Sequence, residues 1–305
     1  MFKHHDDLSN PPQAPQSALL KLGWYGPMRK KMIMVSTRNS DVSIEEIRIT
    51  GYVQPIILRS YQPASDSAAF PVVLYFHGGA FTGGSLDDAG ITAMTVACRT
   101  RAWVVSVGYS LAPQFPFPVA PEDGYRALKW AVSGTGSHRV ASRLVGIAGH
   151  DAGGNLATCV AAIARDRGEV TISAQVLIAP LLDPSMTRMG SESGIVEAKD
   201  MSELARCYRA YLPSPTQHFH PYAAPLDSRR LHGLQPALIV TAMQDRLRRE
   251  AEKYAIALIN AGVSTQVIDQ ADASHDELAS HPAVLADVIS FLKKHLHAPT
   301  VVKRP

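Results

Sequence analysis

Paired cysteines, long apolar runs and an excess of either charge are all missing from this chain of 305 residues. Each absence removes a class of function. The three cysteines, Cys98, Cys159 and Cys207, stand far apart, with no CxxC pair and no Cys/His metal spacing. An odd, scattered set of this kind reads as buried thiols in a reducing compartment, not as a disulfide framework. Charged residues are only 19% of the chain and the formal net charge is +3, too small to argue for nucleic acid. The short basic clusters, Arg246, Arg248, Arg249 and Lys293, Lys294, read as solvated helix faces. No run approaches the roughly 18 apolar residues of a membrane helix, so no membrane span is expected. Residues 1–15 are polar and proline-rich without an apolar core segment, so no secretory leader is expected and a cytoplasmic location is the default. His218 and His220 form an H-x-H pair and His4 and His5 are adjacent, but no third ligand follows at metal spacing. No metal or other cofactor is therefore expected.

Apolar residues, at 46%, are ample for a core. Residues 45–50 and 55–61 alternate like paired strands, which predicts an antiparallel start to a sheet. Short apolar runs bounded by turn residues follow at 72–76, 104–107, 143–148, 174–179, 237–241 and 265–268. Helical patterns separate most of them, at 122–132, 155–164, 249–261 and 282–295. Buried strands alternating with helices predict a mostly parallel sheet covered on both faces, an α/β fold. Residues 183–222 break this rhythm, and with residues 1–40 they are expected to form a helical cap on a single domain spanning 1–305. The helix at 282–295 is a candidate face for a homodimer, though nothing in the sequence establishes one.

Four constellations carry chemistry. His77-Gly78-Gly79-Ala80-Phe81 follows the strand at 72–76. Successive glycines there let backbone N–H groups turn toward a substrate, as an oxyanion hole requires. Gly149-His150-Asp151-Ala152-Gly153-Gly154 lies between a strand and a helix, the setting of a nucleophile elbow. The turn comes late in the chain and lacks the GxGxxG order, so it is not a dinucleotide site. Asp245 follows the strand at 237–241, and His275 follows the strand at 265–268. Singly, an aspartate after a strand is more often a helix cap and a loop histidine a surface residue. Their order, nucleophile then acid then histidine, is what carries weight.

With these residues in place, the chain resembles the hormone-sensitive-lipase-like α/β hydrolases over about residues 70–297. That family's HGGGF motif matches His77 to Phe81, and its YRLAPE segment with the following PFP matches Tyr109 to Pro118 and then Glu122-Asp123. Its GDSAGGNLA elbow matches Gly149 to Ala157, its DPLRDE segment matches Asp245 to Glu250, and Tyr222 to Leu226 resembles its PyaSPl stretch. The resemblance implies an α/β-hydrolase fold and a small-molecule substrate or ligand. It implies catalytic residues Asp151, Asp245 and His275, and an oxyanion hole from Gly78, Gly79, Ala80 and Ala152. Pocket candidates are His77, Phe81, His150, Tyr208 and Tyr211; the two tyrosines could polarise an epoxide oxygen, but cap packing is their first reading, since the family has aromatics there. Three departures matter: Asp151 stands where the family has its serine, His150 where it has an acid, and Asp276 where it has a glycine.

A carboxylate at the elbow is already ionised and needs no base to attack. Three readings follow. The chain is a hydrolase of a small ester or related electrophile, with His275 as base and Asp245 orienting it. Alternatively, Asp151 attacks an alkyl carbon, as the aspartate of the epoxide hydrolases and haloalkane dehalogenases does, and His275 activates water to release the alkyl ester. In the third reading catalysis is lost, and the fold serves as a small-molecule-binding or regulatory protein.

Overall fold

The alternation at the start of the sheet forms the hairpin it predicts. In the computed structural model, β1 (Val42–Thr50) pairs antiparallel with β2 (Pro55–Pro63). Residues 41–64, 69–133, 140–187 and 198–296 are described. The expected cap segment 1–40, and residues 188–197 of the second cap segment, lie outside them.

The remaining strands are β3 (Phe70–Phe76), β4 (Trp103–Gly108), β5 (Val140–His150), β6 (Ala174–Ile178), β7 (Ala237–Ala242) and β8 (Thr265–Gln270). They form one sheet in the order β1-β2-β4-β3-β5-β6-β7-β8, antiparallel at β1-β2 and β2-β4 and parallel thereafter. The helices are α1 (Gly90–Thr100), α2 (Val119–Val132), α3 (Ala152–Arg167), α4 (Ala198–Tyr211), α5 (Arg248–Asn260) and α6 (Pro282–Leu296). One core lies where α2, α3 and α5 meet the sheet, around Phe76, Ile147, Leu156 and Tyr254. The other lies under α1 and α6, around Val73, Val96, Val176 and Phe291. Strands covered on both faces are mostly apolar, which is why β3 through β7 appear in the sequence as apolar runs broken by few polar residues, such as Ser106 in β4 and Gln175 in β6. β8 departs from that reading: it is the edge strand, and Gln266, Val267 and Asp269 are exposed.

Register brings the chemistry together. Phe76 at the end of β3 pairs with Gly149 of β5, so residues 77–80 leave the sheet beside residues 150 and 151. Ala242 at the end of β7 pairs with Gln270 of β8, so the loops carrying Asp245 and His275 leave side by side. Between β6 and β7 the chain forms α4 and short 3-10 turns at Pro215–Phe219 and Pro225–Asp227. Cys98, Cys159 and Cys207 are free thiols. Among the described residues no helix is long and apolar enough to cross a membrane.

Candidate active site

Asp151 is held in a backbone conformation that few side chains adopt, φ 53° and ψ −121°. Its own hydrogen bonds over-determine it: its N–H donates to Ile178 O at 3.0 Å, and its carbonyl accepts from Gly154 at 2.9 Å and Leu181 at 3.1 Å. The sharp turn from strand to helix also needs a residue without a side chain at 153, because a Cβ there would lie 2.1 Å from the backbone oxygen of Phe76.

The loop after β3 supplies the donors. Gly79 (φ 118°), Ala80 (φ 47°) and Phe81 (φ 65°) all turn left-handed. The turn closes through N–H groups of Thr82 and Gly83 donating to Gly79 O at 3.0 and 2.9 Å. A Cβ at Gly79 would meet the Gly83 carbonyl at 2.3 Å, so this conformation belongs to glycine. The N–H groups of Gly79 and Ala80 converge on a single atom, Oδ2 of Asp151, at 2.9 and 2.8 Å. The hole is therefore filled by the side chain of the elbow itself. Of the expected donors, Gly78 lies against the carboxylate without donating to it, while the Ala152 N–H also favours the anion. His77 supports the loop from behind: its Nδ1–H donates to Gly78 O at 2.7 Å and its ring stacks on Tyr109 with centroids 4.3 Å apart.

His275 completes the arrangement. Its Nδ1–H donates to Oδ2 of Asp245 at 2.8 Å, while Oδ1 of Asp245 accepts the N–H of Leu247 at 2.8 Å. Its Nε2 lies 3.9 Å from Oδ1 of Asp151, beyond hydrogen-bond reach. His150, the last residue of β5, donates from Nε2 to the backbone carbonyl of His275 at 3.0 Å. Burial opposes charge on Asp151 and on the histidines, yet Asp151 and His275 settle as opposite charges. The His275 cation, the His150 ring and the Ala80 and Ala152 N–H groups outweigh burial at Asp151 and hold its carboxyl below the usual range. At His275, burial is outweighed by the hydrogen bond and charge of Asp245 and by the charge of Asp151, so its pKa is raised. His150 and His77 go the other way, pushed down chiefly by burial.

A cavity of about 600 Å³ opens over Asp151 and His275. His77 and His150 line it, as the sequence suggested. Phe81, Tyr208 and Tyr211 do not. They are buried, with Phe81 stacked on Tyr211 at 3.9 Å between centroids, and pack the core behind the wall. The two cap tyrosines thus pack into the core and do not face the cavity. The wall itself is an adjoining face of α4, through Glu203, Arg206 and Cys207, which sequence reasoning passed over. The signal was present as a helical spacing in which Leu204, Tyr208 and Tyr211 point to the core. Arg246 and Asp276 also line the cavity, one beside each catalytic loop residue. Behind it, the buried Glu250 accepts the N–H groups of Leu182 and Asp183 at 3.0 and 3.1 Å, tying α5 to the chain after β6. Burial, with the nearby charges of Asp183 and Asp245, pushes its carboxyl well above the usual range against the pull of those N–H groups.

Residues 73–279 match a family model described as alpha/beta hydrolase fold. Among curated proteins, the chain is 35% identical over 240 residues to the esterase LipI of Mycobacterium tuberculosis, covering 74% of this chain and 72% of that protein. It is 30% identical over 260 residues to an ethyl acetate hydrolase of Pseudomonas putida, covering 81% and 80%. Among solved structures, a hyperthermophilic esterase from the archaeon Pyrobaculum calidifontis superimposes with a TM-score of 0.75 at 34% identity, covering 82% of this chain and 85% of that one. A thermostable carboxylesterase cloned from a metagenomic library gives 0.76 at 31% identity, covering 85% and 90%.

Proposed function

Since the chain belongs to the hormone-sensitive-lipase-like family of α/β hydrolases, we propose that it is a hydrolase whose nucleophile is the Asp151 carboxylate and whose target is a saturated carbon of a small alkyl electrophile. One observation carries this reading: Oδ2 of Asp151 sits between the N–H groups of Gly79 and Ala80. Attack on an ester carbonyl would develop negative charge on the substrate oxygen, and the donors that should receive it are already taken. Attack on a saturated carbon makes no such demand.

Oδ1 attacks the carbon, and the leaving group departs with the bonding electrons as a halide, or as an alkoxide that takes a proton from solvent. Asp151 is then a neutral alkyl ester. With that charge gone, His275 loses part of what favoured its cation and gives up its proton. Water between Nε2 and the ester attacks Cγ, its proton passing to His275, and the oxyanion forms on Oδ2, already in the hole. Collapse breaks the Cγ–O bond to the alkyl group, the alcohol leaves with the proton from His275, and the proton left on the Asp151 carboxyl passes to the imidazole, restoring the carboxylate and the His275 cation.

The test is turnover of 1,2-epoxybutane and 1-bromobutane in water labelled with oxygen-18, with enzyme in excess of substrate. The expected result is label in the Asp151 carboxylate and none in the first alcohol released. Label entering the alcohol directly excludes the ester intermediate. No turnover, with tight binding of a small ligand, would leave the fold as a binding protein.

A further inference from the structure

We propose that His150 is a positioning residue for the second half of this reaction: its Nε2–H, donated to the backbone carbonyl of His275, sets the distance between the water-activating imidazole and the Asp151 ester. The proposal rests on the alkyl-transfer reading above.

The carbonyl of His275 can only accept, so Nε2 of His150 carries the proton in their 3.0 Å contact. In the neutral ring Nδ1 is then bare. It faces Gly78, where an added Cβ would lie 3.0 Å away, so the ring is wedged between the hole-forming loop and the histidine loop. The two imidazoles lie 4.9 Å apart between centroids, tilted by 39°. Burial and the neighbouring His275 charge keep His150 below the usual histidine range, so the ring stays neutral and its tautomer is fixed by the carbonyl.

His275 sits in a loop after an edge strand; the loop is anchored to α1 beyond it, where the Thr92 hydroxyl donates to Ala279 O at 2.8 Å and Leu278 is buried, and by local bonds around His275 itself. Glu277 accepts from the Ser274 N–H at 3.2 Å and from its hydroxyl at 2.7 Å, and the Leu278 N–H donates to Ser274 O at 3.1 Å. Asp245 fixes the imidazole from the β7 side. The His150 bond joins the His275 main chain to the residue covalently next to the nucleophile, so it gauges base against ester directly. An acidic side chain at 150 would offer that carbonyl only acceptors, and would set another negative charge beside Asp151.

The experiment uses the full chain and three variants, His275→Gln, His150→Phe and His150→Gln, mixed with 1,2-epoxybutane or 1-bromobutane, quenched and read by intact-protein mass spectrometry. His275→Gln should accumulate the alkylated protein. His150→Phe should slow hydrolysis of the adduct roughly tenfold or more relative to its formation, since misplacing a base by a fraction of an ångström costs that much. His150→Gln, which keeps an N–H of similar reach, should restore hydrolysis to within about threefold. Adduct in His275→Gln but clearance at the unsubstituted rate in His150→Phe overturns the proposal alone, as does a His150→Gln protein as slow as the phenylalanine form. No adduct in His275→Gln overturns the alkyl-transfer reading and this proposal together. Nitrogen-15 NMR of the unsubstituted protein decides the matter should the phenylalanine variant not fold: a proton on Nε2 of His150 and a bare Nδ1 support it, and the opposite tautomer overturns it.

Discussion

Nε2 of His275 stands 3.9 Å from Oδ1 of Asp151, while Nδ1 of the same ring lies 2.8 Å from Oδ2 of Asp245. The imidazole is thus bonded to one carboxylate and merely faced by the other. Both charges favour its cation, but only the Asp245 contact fixes its orientation. The gap on the Asp151 side leaves access for a water molecule.

Replacing Asp151 by serine empties the hole, because a serine hydroxyl ends where the carboxyl carbon stands. Asp151→Ser should hydrolyse p-nitrophenyl acetate at least about a hundredfold faster than the unsubstituted protein, the scale on which hole donors act. Equal rates in the two proteins would mean that the Gly79 and Ala80 N–H groups do not serve acyl chemistry even when free.

Asp151→Asn keeps the shape and removes the charge. NMR titration should then find the His275 pKa lower than in the unsubstituted protein, where it lies above its ordinary 6.5. The linked stability has a definite sign. A cation favoured in the folded state stabilises it fully below about pH 6.5 and ceases to do so as pH rises through the folded value. Urea unfolding should therefore show the gap between the two proteins narrowing from pH 5.5 to pH 9. A gap that stays constant would count against coupling between Asp151 and His275.

Asp245→Asn leaves an acceptor for Leu247 but presents the wrong partner for a protonated Nδ1. Turnover should fall by about two to four orders of magnitude, with adduct formation less affected than adduct hydrolysis. Stopped mass spectra of both steps would check this, and a uniform loss in the two steps would speak against a role confined to His275.

Gly153→Ala and Gly83→Ala make a matched pair. A Cβ at 153 would lie 2.1 Å from the Phe76 carbonyl, whereas the nearest neighbour of one at 83 is 3.6 Å away. Overpacking at the first site should cost about 1–3 kcal/mol or more, and the second should be close to neutral. Equilibrium urea denaturation separates them. A Gly153→Ala protein as stable as the parent would show that helix and strand can separate at the elbow.

Much of this frame was legible in the residues. Runs such as Val72 to Phe76 and Ala237 to Thr241 are apolar at successive positions because both faces of those strands are buried, and the alternation before them is that of a hairpin with one wet face. α1 was harder to see: its three threonines, with Ile91 and Val96, favour strand as much as helix, and Ala89 at its start offers no side-chain cap. The helical spacing of Leu204, Tyr208 and Tyr211 places them on one face of α4, but what that face meets was not readable from the spacing. It is decided by Phe81, more than a hundred residues away, which stacks on the second of them. Nor does any spacing reveal that Asp151 fills its own hole. The motifs announce the donors and the carboxylate, but their meeting depends on one side-chain rotamer.

The sheet distributes labour among segments that share few atoms. Gly79 and Ala80 leave from β3, Asp151 from β5, Asp245 from β7 and His275 from β8, while the wall above them is α4, strung between β6 and β7. A lineage can therefore rewrite what enters the chamber by editing α4 alone, and can exchange the attacking atom at a single position, without renegotiating the strands that hold the rest in register.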